Sequence, residues 1–101
     1  MKKILFPCTN RVHYARQKLL IQELQKNFEV DIFNPTIENN NSLATFTLLC
    51  AVEFNNFLSA REKYDGVIIR ADRLELLPIS ALCAYKGIPI IHIEGGAETG
   101  Q

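Results

Sequence analysis

Residues 64–75 read Tyr-Asp-Gly-Val-Ile-Ile-Arg-Ala-Asp-Arg-Leu-Glu, and residues 87–100 read Gly-Ile-Pro-Ile-Ile-His-Ile-Glu-Gly-Gly-Ala-Glu-Thr-Gly. A helical stretch separates them. Each segment contains a short unbroken apolar run, the pattern of a strand buried on both faces. Each run is followed by an acid, Asp72 in the first case and Glu94 in the second. Strand, crossover helix and strand make a parallel pair, so both strand ends lie on one edge of a sheet. Asp72 and Glu94 are therefore expected to emerge side by side, and two carboxylates so placed suit acid/base chemistry.

Working outward, the same alternation fills the chain. Ile4-Leu5-Phe6 follows two lysines and reads as a central strand. Residues Arg11 to Phe28 have helical spacing, with Leu20, Ile21, Leu24 and Phe28 on one stripe. Glu29 to Phe33 is a second strand, closed by Asn34-Pro35. An Asn-rich loop at Glu38–Asn41 precedes Ser42, the expected N-cap of a long apolar helix over Leu43–Glu62. Glu53 interrupts the apolar stripe of that helix at its edge. The third strand is Gly66–Arg70 and the third helix spans about Leu74–Tyr85, with Pro78 in its first turn. Gly87 stops that helix, and Pro89 opens the fourth strand, Ile90–Ile93. Order βαβαβαβ with helical crossovers predicts a three-layer α/β fold of Rossmann or flavodoxin type. It has a four-stranded parallel sheet in order 2-1-3-4, with helices on both faces. Residues 1–101 are expected to form one domain.

Composition narrows the function classes. A hydrophobic share of 48% and a charged share of 22% are those of a globular protein. Eleven basic and eleven acidic residues give zero formal charge without a basic cluster, which argues against nucleic acid or an anionic membrane as partner. No apolar run has the length of a membrane span, and the first strand is too short for a signal peptide. The three cysteines, Cys8, Cys50 and Cys83, lack zinc-type spacing and read as reduced thiols of a cytoplasmic protein, with Cys50 and Cys83 buried.

Ligands of open parallel sheets bind beyond the carboxyl ends of the strands, where strand order reverses. The loops after strands one and three flank that point and bring Arg11, Asp72 and Arg73 together, with Glu94 one strand further out. An arginine opening a helix, beside that helix's free amides, suits a phosphate. On local grounds Asp72 also suits an N-cap of the third helix. Gly95 and Gly96 allow close backbone approach to a ligand or simply form a turn. His92 shares a face with Glu94 and is expected to be a core histidine with a satisfied hydrogen bond.

These motifs resemble those of the UDP-N-acetylglucosamine 2-epimerases, hydrolysing and non-hydrolysing, in their N-terminal domain. The family's Thr-Gly-Thr-Arg or Gly-Ser-Arg loop is matched by Thr9-Asn10-Arg11. Its Gly-Asp-Arg-x-Glu segment is matched by Ala71-Asp72-Arg73-Leu74-Glu75, and its His-x-Glu-Ala-Gly or His-x-x-Gly-Gly segment by His92-Ile93-Glu94-Gly95-Gly96, followed by Thr99-Gly100. The resemblance implies that Asp72 and Glu94 take part in anti elimination of UDP. One group removes the C2 proton and another assists the departing glycosidic oxygen, giving a 2-acetamidoglucal. It further implies substrate contacts by Arg11, Thr9, Arg73, Gly95 and Gly96, a nucleotide-sugar ligand, and no metal or redox cofactor.

The departures carry expectations too. The family's site lies between two domains, so the chain is expected to be a truncated or split half that needs a second-domain protein or a homo-oligomer for catalysis. The Asn-rich loop replaces an extra strand and helix, and Ala71 replaces a glycine. Two other readings compete: a non-catalytic Rossmann-like module, and a phosphocysteine carrier of the sugar phosphotransferase type. In the carrier reading Cys8 takes the phosphate, but the bulky Thr9–Tyr14 segment fits such a loop poorly. The phosphatase spacing of cysteine and arginine fails because Tyr14 stands in the arginine's place.

Overall fold

The computed structural model describes residues 1–9, 11–36, 42–61, 63–70 and 75–93, without the side chains of residues 11–13. Seven elements alternate: β1 (Lys3–Pro7), α1 (Arg11–Leu24), β2 (Glu29–Phe33), α2 (Leu43–Ser59), β3 (Gly66–Arg70), α3 (Leu76–Tyr85) and β4 (Ile90–Ile93). The strands form one parallel sheet in the expected order, β2-β1-β3-β4. Phe6 faces Ile32 across the first pair, Leu5 faces Val67 across the second, and Arg70 faces Ile93 across the third.

Side chains on a strand alternate between faces, and this splits the core in two. Leu5, Val67 and Ile69 point to one side, where they meet Phe54 and Leu58 of α2 with Leu76, Ile79 and Cys83 of α3. Ile4, Phe6, Cys8 and Ile68 point to the other, against Ile21 of α1 and its half-buried neighbours Tyr14, Leu20 and Leu24. One helix therefore covers one face and two cover the opposite face. Three rings meet at one corner of the larger core. Phe33 meets Phe54 edge-on at 5.0 Å and Phe57 at 5.1 Å, and Phe54 and Phe57 stack at 6.4 Å.

The helix ends follow their local chemistry. The Ser42 hydroxyl accepts a hydrogen bond from the Thr45 amide at 3.2 Å, which satisfies one of the free donors at the start of α2. Gly87 takes φ +75 after α3, a left-handed turn that costs glycine little. α1 ends at Leu24 rather than Phe28, because the amides of Lys26 and Asn27 reach back only three residues, to the carbonyls of Glu23 and Leu24. Phe28 keeps the helical stripe alive in the sequence because it still packs into the smaller core. The Leu43–Glu62 helix ends at Ser59, and Glu62 lies outside the described residues.

β4 departs further from expectation. It is the strand farthest from α1, and β3 is its partner among the described residues. Ile90 is 38% and Ile91 48% exposed, and His92 is exposed as well. This apolar segment is thus an edge strand among the described residues, partly covered only where Ile93 packs against the smaller core, and His92 is not the core histidine its surroundings in sequence suggest. Two-sided apolarity reads as burial, and it does not reveal the exposure that Ile90 and Ile91 keep among the described residues.

Candidate active site

β1 delivers Cys8 and Thr9 to the carboxyl edge of the sheet, at the switch point between β1 and β3. The ladder continues there, with the Cys8 amide donating to the Phe33 carbonyl at 2.8 Å. Thr9 is 2% exposed, and its hydroxyl donates to Glu75 Oε1 at 3.2 Å. Glu75 is itself 1% exposed and occupies the N-cap position of α3 without capping that helix through its side chain. Its carboxylate turns inward instead, across the switch point, and ties the end of β1 to the start of α3. The positive end of the α3 dipole favours a negative group in that position.

A second anchor fixes the loop after β2. The Thr36 amide donates to both carboxylate oxygens of Glu53, at 3.0 and 2.8 Å, and the Thr36 hydroxyl donates to Oε1 at 3.2 Å. Glu53 therefore sits at the edge of the apolar stripe, as its place in the sequence suggests, but bonded to the loop. Both carboxylates lie close enough to Cys50 to add their negative charge to the effect of burial. Together these push its thiol up to about 11.

The sequence-predicted residues divide by element. α1 begins at Arg11, which puts that residue at the helix start as expected, although its side chain lies outside the described residues. Thr9 is at the expected edge, buried and engaged with Glu75. Asp72, Arg73, Glu94, Gly95 and Gly96 lie outside the described residues. The strands that lead to them are described. Arg70 and Ile93 are partners in register, so the segments carrying Asp72 and Glu94 leave the sheet from neighbouring positions. The N-cap of α3 is Glu75 and the helix starts at Leu76, which removes Asp72 from the capping position. Glu75 was legible in the sequence only as one residue of a motif. The burial that gives it its role comes from the long-range approach of β1.

Cys8 does not suit a nucleophile. It is fully buried, and burial pushes its thiol up to about 12, whereas a phosphate-accepting cysteine needs a thiolate near neutral pH. Cys83 is likewise pushed up by burial, to about 11. The linkage has a definite sign. The folded thiols stay protonated where the unfolded ones ionise, so their contribution is complete below pH 9 and is lost as pH rises from 9 towards 11–12. Each thiol then costs up to about 1.4 kcal/mol per pH unit above 9. Urea midpoints measured at pH 7.5, 9 and 10 should fall steeply only in the last interval, and a thiol reagent at pH 8 should label the native chain slowly. A flat profile, or fast labelling of Cys8, would contradict the buried assignment.

At the opposite edge of the sheet, a cavity of about 220 Å³ is lined by Arg61, Lys63 and Lys86, together with Leu58, Tyr64 and Ile88. Arg61 and Lys86 follow the C-termini of α2 and α3, and Arg61 Nη1 donates to the Phe57 carbonyl at 3.1 Å. These cations answer the negative ends of the two helices. No helix among the described residues is long and apolar enough to cross a membrane.

Comparison with known proteins gives the geometry a context. No protein-family model matches the chain. It is 30% identical over 83 residues, 80% of its length, to GDP/UDP-N,N'-diacetylbacillosamine 2-epimerase (hydrolyzing) of Campylobacter jejuni. It is 33% identical over 70 residues to the polysialic acid biosynthesis protein P7 of Escherichia coli. It spans 22% and 17% of those two proteins. Among solved structures, S. aureus MnaA with UDP superposes with a TM-score of 0.75 at 19% identity, over 92% of this chain and 29% of that one. A UDP-N-acetylglucosamine 2-epimerase superposes with 0.72 at 18% identity, over 91% and 33%. The chain is thus a relative of the UDP-N-acetylglucosamine 2-epimerase family, sharing its Rossmann-like fold over a third or less of the length of such a protein.

Proposed function

We propose that residues 1–101 form one Rossmann-like domain that supplies one wall of a sugar-nucleotide site in an epimerase-type enzyme, the other wall coming from a second domain. The observation that carries this reading is the register at the carboxyl edge. Arg70 and Ile93 are partnered there, so the segments containing Asp72 and Glu94 start from adjacent strands, the first of them flanking the switch point. The relatives extend the argument. The C. jejuni protein is a hydrolysing 2-epimerase of a nucleotide-linked sugar, and the S. aureus structure holds UDP.

In this reading Asp72 and Glu94 are the acid/base pair of an elimination at C2 of the sugar. Arg11, at the start of α1, meets the diphosphate with the free amides of that helix. Arg73 adds a second cation, and Gly95 and Gly96 let the backbone approach the ligand. Thr9 acts through Glu75, by holding the two loops together. The domain contributes both carboxylates but only part of the nucleotide site.

Calorimetric titration of the chain with UDP and with UDP-N-acetylglucosamine, alone and with a candidate second-domain protein, tests this directly. Weak binding alone and tighter binding with the second domain is the expected result. In the combined system Asp72→Asn and Glu94→Gln should each lower turnover about 10²–10⁴-fold, the usual weight of a general acid or base, while UDP affinity changes little. Absence of binding under both conditions would sink the reading. If binding occurs but neither substitution alters any property, the domain is a non-catalytic nucleotide-sugar module.

A further inference from the structure

We propose that the cavity at the amino edge of the sheet is a binding site for a phosphate-type dianion, independent of the sugar-nucleotide site at the carboxyl edge. Its charged lining is Arg61, Lys63 and Lys86, with no acid among them, and Leu58, Tyr64 and Ile88 form its apolar floor. Folding creates this cluster. Arg61 and Lys63 follow α2 and Lys86 follows α3, so separate stretches of a chain with zero formal charge meet here.

The cations exceed what the helix ends require. A helix C-terminus carries about half a negative charge, so the ends of α2 and α3 set about one negative charge against three cations. The surplus of about two matches a phosphate dianion. Side chains do not cancel it. Asp65 accepts from the Lys3 amide at 2.8 Å, and Asp31 accepts from the Tyr64 hydroxyl at 2.7 Å. The ion pairs among the described residues join Lys3 to Glu29 and Lys26 to Glu23, and include none of the three cavity cations. Glu62 lies outside the described residues.

Arg61 is held in place before any ligand arrives. Its Nη1 donates to the Phe57 carbonyl at 3.1 Å, and the guanidinium carbon lies 3.5 Å from the centre of the Phe57 ring. One N–H of the guanidinium fork is thus engaged and its plane is fixed, so the remaining donors are presented at little further cost in entropy. A fixed guanidinium suits the paired oxygens of a phosphate. Lys63 and Lys86 are exposed and add point charges at the rim. Leu58, Tyr64 and Ile88 are buried, and such a low-dielectric wall focuses the field of the cations into the cavity.

Size selects a compact ion. The volume of about 220 Å³ holds several waters and falls below the roughly 300–1,000 Å³ of a site for a drug-sized molecule. A nucleic acid would need a longer basic stripe, which a chain with eleven acids and eleven bases does not supply.

Amide NMR of the labelled chain tests the proposal. Inorganic phosphate and methyl phosphate are each titrated at pH 7.5, with sodium chloride at equal ionic strength as reference. Amides of residues 61–64 and 86–88 should shift saturably with phosphate and stay in place with chloride. UDP binding is read separately, on the amides of Thr9 and α1, so failure at one site is visible apart from the other. Lys63→Gln combined with Lys86→Gln should weaken phosphate binding about tenfold or more, with an unchanged far-UV spectrum, because both side chains are exposed. Lys18→Gln, which removes an exposed charge on α1, should leave the affinity unchanged. Tighter binding of the free ion identifies inorganic phosphate as the occupant. Equal or tighter binding of the monoester identifies the phosphoryl end of a larger molecule, and either result supports the site. Shifts that simply track salt in both titrations, or a double variant that binds like wild type, overturn the proposal. Should the double variant fail to fold, Lys86→Gln alone decides, and wild-type affinity in that variant overturns it.

Discussion

Phe54→Ala should destabilise the chain by about 3–5 kcal/mol, the range for truncating a buried aromatic. Phe54 is fully buried, and its ring lies edge-on to Phe33 and stacked with Phe57. The loss therefore combines transfer of the ring, a cavity between α2 and β2, and two ring contacts worth about 0.5–1.5 kcal/mol each. Small domains have only about 5–15 kcal/mol in total, so the variant should be marginal at ambient temperature. Phe57→Ala is the comparison. That ring is half-buried and partly covered by the Arg61 guanidinium at 3.5 Å, so its loss should be clearly smaller. Urea unfolding of both variants and of the double variant measures the coupling between the rings. A cost for Phe54→Ala no larger than that of Phe57→Ala would mean that α2 is held on the sheet by something other than this corner.

Glu75→Ala should produce the second large effect, about 2–4 kcal/mol of stability and a marked loss of UDP affinity. The physical reason is the buried Thr9–Glu75 bond. Removing the carboxylate takes away this buried partner of the Thr9 hydroxyl and opens a cavity at the start of α3. Thr9→Val removes the donor while keeping the shape, and should cost about 1–3 kcal/mol. Glu75→Gln retains an acceptor for Thr9 and should fall between wild type and Glu75→Ala. The ligand effect follows from geometry, because this bond joins the two loops that flank the switch point. Titration with UDP at a temperature where each variant is fully folded separates the two consequences. Undiminished affinity in a folded Glu75→Ala chain would show that the bond serves stability alone.

The fold was readable in the sequence because two independent signals agreed there. Ile4–Phe6 and Val67–Ile69 are runs without alternation, and the intervening segments have helical period with Ser42 and Gly87 at their ends. These are local properties, and a parallel αβ fold follows from them with few alternatives. What failed to show was set by distant parts of the chain. Ile90–Ile93 has the composition of a central strand, and its place at the edge depends on what lies beyond it. Glu75 falls within the first turn of the expected third helix, and its burial beside Thr9 is set by a distant part of the chain. His92 sits in the same misleading setting, an apolar strand whose exposure depends on distant elements. For the site, the sequence points to the carboxyl edge through the ends of β3 and β4, and the acids expected there lie outside the described residues. The inward turn of Glu75 needed coordinates.

β4 bears on how such a domain behaves as a material. Natural edge strands are commonly blunted by lysine, an internal proline or a bulge. Ile90–Ile93 has none of these, and Pro89 guards only its entry. One row of its backbone groups pairs with β3, and Ile90 and Ile91 are partly exposed, while Ile93 packs against the smaller core. Such a strand is a template: an extended segment of suitable sequence can add to it and lengthen the sheet by one. A border of this kind suits growth of the fold by accretion of further units, and where it is left unpaired it favours self-templated aggregation.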